Sequence, residues 1–231
     1  MPKIIAIVSG GMDSVTMAHH LARQGNEVHL LSVDYGQRHR KEHTFAAAAA
    51  ERLGAVHQVA DLRAVGAMFR GSSLTDPTVD VPEQTWNGYG ESPNIVPNRN
   101  ALLLAVAFAI AVVEKAEAVA IGSIAGDVAS VPDSTPEFLE SFIAMERLAT
   151  KGYAHPDLAL LAPLSGMAKS GVVLLGEKLG VPWTSTWTCF RGEETHCGRC
   201  APCWERQEAF HEAGVEDPTG YQTTTHQEDR S

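Results

Sequence analysis

Lys3-Ile4-Ile5-Ala6-Ile7-Val8-Ser9-Gly10-Gly11-Met12-Asp13-Ser14 decides the fold. After Lys3 the run is apolar and largely β-branched, the pattern of a strand buried on both faces, as the strands of parallel sheets are. It breaks at Ser9-Gly10-Gly11, where the chain turns, and a helix is predicted over residues 13–24, stopped by Gly25. Working outward, residues 27–34 predict a second strand, 39–53 a second helix closed by Gly54, and 56–60 a third strand. This β-α-β-α-β alternation implies an α/β fold with a doubly wound parallel sheet covered by helices on both faces.

Residues 66–97 dissolve into Gly, Pro, Ser and Thr, with Trp86 and Tyr89 as isolated aromatics. They read as an irregular insertion beside the site, not as a domain boundary. Periodicity resumes with an apolar helix over 98–116 and a strand over 118–123. A helix over 136–150 follows, with Ser134 or Thr135 as N-cap, Pro136 at its first position and Glu137 in its first turn. Residues 165–179 predict another helix, ended by Gly180-Val181-Pro182, and 187–210 hold the cysteines and run into a short helix. Residues 1–222 read as one domain and the polar stretch 223–231 as a disordered tail. There is no internal repeat.

The 231 residues include 28 acidic and 18 basic side chains, a formal charge of −10, with 44% of residues apolar. That balance argues against a protein that grips nucleic-acid phosphates, which needs clustered Lys and Arg, and favours a small-molecule partner. The N-terminal residues lack the charged and long apolar regions of a secretory signal. The longest apolar stretch, 101–113, is too short for a bilayer, which takes roughly 18 to 20 residues. A cytoplasmic protein without membrane or direct nucleic-acid contact is expected.

Ser9-Gly10-Gly11-Met12-Asp13-Ser14 lies where the first strand hands over to the first helix. Glycines let backbone approach an anion, hydroxyls and free N–H groups donate to it, and the helix N-terminus adds partial positive charge. The string lacks the Lys-Ser/Thr ending of a Walker A loop. It resembles the SGGxDS motif of the PP-loop ATP pyrophosphatases, which split ATP between its α- and β-phosphates and adenylate a carboxylate or carbonyl oxygen. On that reading Ser9, Gly10, Gly11 and Ser14 hold phosphate oxygens, and Asp13 binds Mg²⁺ directly or through water. The bland alternative is a Gly-rich strand–helix turn.

All four cysteines fall in Cys189-x7-Cys197-x2-Cys200-x2-Cys203, whereas a disulfide framework would spread them along the chain. Four thiolates on one loop point to a closed structural zinc site. An iron–sulfur cluster and buried free thiols are the alternatives, although the Cys-Pro ending of ferredoxin-type motifs is missing. His196, beside Cys197, reads as a neighbour of the site and not as a ligand.

The phosphate loop and the cysteine knuckle, in this order and at this length, resemble the 7-cyano-7-deazaguanine synthase family. The blocks Asp34-Tyr35-Gly36-Gln37-Arg38-His39, Val96-Pro97-Asn98-Arg99-Asn100, Thr188-Cys189-Phe190 and Cys197-Gly198-Arg199-Cys200-Ala201-Pro202-Cys203 extend the likeness over essentially the whole chain. The resemblance implies a PP-loop, adenine-nucleotide α-hydrolase type of fold and a ligase that converts 7-carboxy-7-deazaguanine and ammonia to the nitrile with two ATP, through adenylated acid and amide. It also implies a homodimer. Asp13, Arg99 and Lys169 become the candidate catalytic residues. The candidate nucleotide site is Ser9, Gly10, Gly11, Met12, Asp13, Ser14, Asp34, Arg38, His39, Gly122 and Lys169. Arg38 and Arg99 would offer guanidinium forks to phosphate or carboxylate, His39 would contact phosphate or move a proton, and Lys169 would reach ATP phosphates. Each has an ordinary alternative: a solvated charge for Arg38, a surface histidine for His39, a first-turn lysine for Lys169 and a helix N-cap for Asn98.

Asn98, Arg99, Asn100, Asp127 and Asp133 are the candidate acceptor-binding residues. Asp127 and Asp133 could accept hydrogen bonds from a guanine-like edge, and Asp133 could instead stabilise the helix that starts at Pro136. This stretch departs from the family pattern, with Val131, Ser134 and Thr135 where the family carries Tyr, Cys and Arg. Lys169-Ser170-Gly171 also lacks an acidic residue expected two places after the lysine. Three rivals follow: a related ligase that adenylates another carboxylate or uses another amine, a tRNA-thiolating enzyme with a cluster on the cysteines, and a nucleotide-binding module without turnover.

Overall fold

The computed structural model describes residues 1–83 and 92–223. Trp86 and Tyr89, and the tail beyond residue 223, lie outside the described residues. Among the described residues five strands form one sheet: β1 (Lys3–Ile7), β2 (Glu27–Asp34), β3 (Val56–Asp61), β4 (Ala118–Ala120) and β5 (Ala159–Leu161), in the order β3-β2-β1-β4-β5, every pair parallel. Its helices are α1 (Met12–Arg23), α2 (Glu42–Leu53), α3 (Arg63–Gly66), α4 (Arg99–Val113), α5 (Ala125–Ser130), α6 (Pro136–Ala149), α7 (Lys169–Leu179) and α8 (Ala201–Ala213).

Alternate residues of β1 divide the core. Ile4, Ala6 and Val8 pack with Met12 and Val15 of α1, Ala46 of α2 and Val172 of α7, whereas Ile5 and Ile7 pack with Leu104 and Phe108 of α4 and Phe142 of α6. The sheet is therefore doubly wound, as its sequence pattern predicts. β1 and β4 are neighbours whose chains depart to opposite sides, and open α/β sheets bind ligands at such a point, beyond the strands' carboxyl ends.

Several boundaries differ from expectation. The predicted second helix starts at Glu42, because residues 38–41 turn on their own hydrogen bonds (Glu42 N to His39 O, 2.9 Å). The apolar helix spans Arg99–Val113, bounded by Asn98 and Lys115 in left-handed conformation. The fourth strand ends at Ala120, three residues early, and the helix predicted from 165 begins at Lys169 after a turn closed by Met167 N on Leu164 O (2.9 Å). β5 and the short helices α3 and α5 were not expected. Thr135 is the N-cap of α6, its hydroxyl accepting from Phe138 N at 3.3 Å.

Gly10 has φ +102°, and a Cβ there would collide with the carbonyl oxygen of Glu42 in the first turn of α2. Gly10→Ala should therefore cost at least about 2 kcal/mol, from the left-handed backbone and the lost close packing. Urea unfolding checks this, and an unchanged midpoint would contradict it.

Candidate active site

The phosphate loop is built from backbone and two hydroxyls. Ser9 and Ser14 place their Oγ atoms 3.3 Å apart, Ser9 N–H donates to Ser14 Oγ at 3.2 Å, and Gly11 N–H donates to Ser9 Oγ at 3.2 Å. Gly11 is the extended N-cap of α1, and no side chain caps that helix. Its first-turn N–H groups and their partial positive charge are thus offered at the turn, as anion sites require. Gly122 passes beneath: a Cβ there would lie 3.1 Å from Ser14 Cα and 3.2 Å from its nitrogen, so a bulkier residue would press on the start of α1.

On one side of the loop Lys169, first residue of α7, pairs with Asp13 Oδ2 at 2.9 Å and Glu205 Oε2 at 3.5 Å. Burial works against its charge, but the Asp13, Glu205 and Asp127 carboxylates outweigh that and hold its pKa above the ordinary lysine value. Asp127, in the first turn of α5, accepts from Ile124 N–H at 3.0 Å, and burial pushes its carboxyl up. Asp13 Oδ1 is buried without a hydrogen-bond partner among the described residues, so one carboxylate oxygen is uncommitted.

A second cation, Arg99, acts on Glu42, whose carbonyl meets Gly10. Burial opposes the Arg99 charge, while Tyr35, by charge and hydrogen bond, and then Asp133 and Asp127 hold the guanidinium protonated. Its Nε and Nη2 lie 3.4 Å from Asn100 Oδ1. Asp133 is already engaged: its Oδ2 accepts Asn100 N–H at 2.9 Å, and Asn100 Nδ2 donates to Ser134 Oγ at 2.9 Å. The helix that Asp133 caps is therefore α4, not the one starting at Pro136. Asn98 is exposed and left-handed, and its side chain caps nothing.

The block from Asp34 to His39 is placed differently from expectation. Arg38 is exposed and braces a loop, its Nε donating to Ser73 O at 3.1 Å and its Nη2 to Val79 O at 3.0 Å. Asp34 accepts Gly36 N–H at 2.9 Å and pairs with Arg40 at 2.9 Å. His39 is buried, not a surface histidine, with its ring 5.1 Å from Phe190 and its Nε2 3.5 Å from Glu42 Oε1. Burial, then Arg99 and His43, hold it down to about 3, so it is neutral. Glu42 is pushed up to about 8 by burial, against a hydrogen bond from Gln37 Nε2 at 3.1 Å and the Arg99 charge. Sequence reasoning missed Tyr35, Gln37, Glu42 and Glu205. The first two stand in the quoted block and Glu42 three residues beyond it, whereas Glu205 carries no motif.

The four cysteines are fully buried, with all Sγ atoms within 4.8 Å of one another and those of Cys189 and Cys200 4.0 Å apart. Thiolates on one tetrahedral ion at about 2.3 Å stand about 3.8 Å from each other, so the spacing fits. Backbone N–H groups of Arg199 and Cys200 point at Cys197 Sγ, at 3.4 and 3.3 Å. Four buried thiols this close together suit one dication, which would take all four as thiolates. His196 is not in the set: its Nε2 accepts from Thr188 N–H at 3.1 Å and its ring lies 4.2 Å from that of Trp187.

The family described as queuosine biosynthesis protein QueC matches residues 3–214. The 7-cyano-7-deazaguanine synthase of Brucella ovis is 48% identical over 220 residues, 95% of this chain and 94% of its own, and that of Brucella canis is 47% identical over the same lengths. The chain belongs to the QueC family of 7-cyano-7-deazaguanine synthases. Among solved structures, U34-tRNA thiolase NcsA of Methanococcus maripaludis (17% identity, TM-score 0.49) aligns with 93% of this chain and 74% of its own. NMN synthetase of Francisella tularensis (18%, 0.49) aligns with 93% and 78%. Among the described residues no helix is long and apolar enough to cross a membrane.

The buried Glu42 gives stability a pH signature. Its folded pKa of about 8 exceeds the ordinary 4.5, so the stability it contributes is complete below 4.5 and is lost as pH rises through 8. His39, depressed below its ordinary 6.5, acts only under that pH, and because the cluster thiols also respond between 6.5 and 8, the difference between parent and variant across that interval isolates Glu42. Glu42→Gln should flatten the fall in unfolding free energy across that interval. An equal slope in parent and variant would contradict the assignment.

Proposed function

We propose that this ligase performs both activations of its acceptor on the one phosphate loop, with Lys169 and Arg99 both taking part. The single observation that carries the reading is the uncapped N-terminus of α1, flanked by Ser9 and Ser14 and faced by the Lys169–Asp13 pair. The acceptor is 7-carboxy-7-deazaguanine. A carboxylate is a poor electrophile, and its oxygen leaves readily only once phosphorylated.

In the first half, a carboxylate oxygen attacks the α-phosphorus of ATP and pyrophosphate departs. Ammonia adds to the acyl carbon, loses a proton, and AMP leaves with the oxygen it was bonded to. In the second half the amide oxygen attacks the α-phosphorus of another ATP. Loss of two nitrogen protons and of AMP then gives the nitrile. The protein's share is positioning and charge neutralisation. Loop N–H groups and the Ser9 and Ser14 hydroxyls hold phosphate oxygens, and Lys169 faces the charge that develops on the α-phosphate. Arg99, kept charged by its surroundings, orients the acceptor carboxylate, with Asp127 offered to the acceptor's base edge. Asp34, Arg38 and His39 serve by holding the turn that backs the loop.

Two metal assignments complete the reading. Mg²⁺ would be held through Asp13, whose uncommitted oxygen suits a hard cation, and would neutralise phosphate charge. Zn²⁺ would be held by Cys189, Cys197, Cys200 and Cys203, a closed set whose tight spacing suits one ion better than a four-iron cluster, which holds its thiolates further apart. A homodimer rests on family resemblance alone.

The parent protein with ammonium, ATP and the acid should yield AMP, pyrophosphate and nitrile, and Asp13→Ala should lower turnover by about a hundredfold or more. If folded, metal-loaded protein released no AMP with this acid but did so with another, the acceptor assignment would fall.

A further inference from the structure

Glu205 belongs to no motif, yet it touches the lysine on which the ATP chemistry turns. Its Oε2 is 3.5 Å from Lys169 Nζ, and Asp13 holds the same nitrogen at 2.9 Å. Asp13 offers its other oxygen, Oδ1, to a cation, and a carboxylate shared in that way holds the lysine less strongly than one devoted to it. Among the described residues Glu205 has no other ion-pair partner, and its place on α8 is pinned from both sides. Two residues before it, Cys203 is tied into the thiol cluster. One residue after it, fully buried Arg206 donates to Asp217 Oδ1 at 3.1 Å, Thr186 Oγ1 at 2.7 Å and Trp183 O at 3.2 Å. The helix also packs on α7, which carries Lys169 at its first position: Trp183 bridges them, its ring at 5.2 Å from that of Phe210 and against Gly176.

We propose that Glu205 is a positioning residue that keeps Lys169 directed at the reacting phosphate while Asp13 serves the cation. The Arg206 network and Cys203 set where α8 presents that carboxylate. The inference rests on the reading of Lys169 as a phosphate contact.

Glu205→Gln keeps shape and removes charge. Turnover should fall about tenfold, while the ATP KM and the equilibrium affinity for a non-hydrolysable ATP analogue stay level or improve, because a carboxylate beside the phosphates is gone. Metal content and melting temperature should match the parent, and Glu205→Asp, which keeps the charge, should lose less. In a Lys169→Gln background, Glu205→Gln should add nothing. Unchanged turnover in Glu205→Gln, or losses that multiply in the double variant, would overturn the proposal while leaving the Lys169 reading intact. Full activity of Lys169→Gln would instead remove that reading, and the proposal with it.

Discussion

Gly10 touches the first turn of α2 through the carbonyl of Glu42, and the site depends on this contact. The turn after β1 is thereby pressed between α2 and Gly122, with Trp187 N–H adding a 2.9 Å hydrogen bond to Gly10 O. That clamp leaves the start of α1 without a side-chain cap, and an uncapped helix start suits an anion because its N–H groups lack intrahelical partners. It also buries Glu42 and His39 beneath the loop, where desolvation keeps the carboxyl protonated and the imidazole neutral near pH 7. Neither of these two side chains then carries charge beneath the loop.

The charges that do face the loop come from elements remote in sequence. Lys169 enters from α7, Arg99 from α4, Asp127 from α5 and Glu205 from α8, and they meet because β1 and β4 send their chains to opposite faces of the sheet. The cysteine knuckle is part of the same construction. Phe190, next to Cys189, packs on His39, and Trp187 packs on Phe45 of α2 at 5.5 Å. The buried cysteine cluster thus forms one wall of the site.

Much of this was legible in the sequence because local rules decide it. An apolar run ending in two glycines specified β1 and the loop, Gly54 and Gly180 do close their helices in left-handed conformation, and four clustered cysteines do converge. What escaped is set by tertiary contact. β5 is three residues long and carries no period of its own. Arg38 and Asp133 looked free for ligands, but a guanidinium braces whichever carbonyls the fold presents, and a carboxylate caps whichever helix end comes near. Glu205 was invisible because periodicity reports burial along a helix and not which charge faces it from the next.

The central claim is that substrate oxygen is carried away on AMP in two successive activations. The direct test is acid labelled with ¹⁸O in both carboxylate oxygens, with AMP and pyrophosphate analysed by mass spectrometry after nitrile formation. Two AMP for each nitrile, each bearing one ¹⁸O, with unlabelled pyrophosphate, is the expected result. Unlabelled AMP, or label in pyrophosphate, would contradict it.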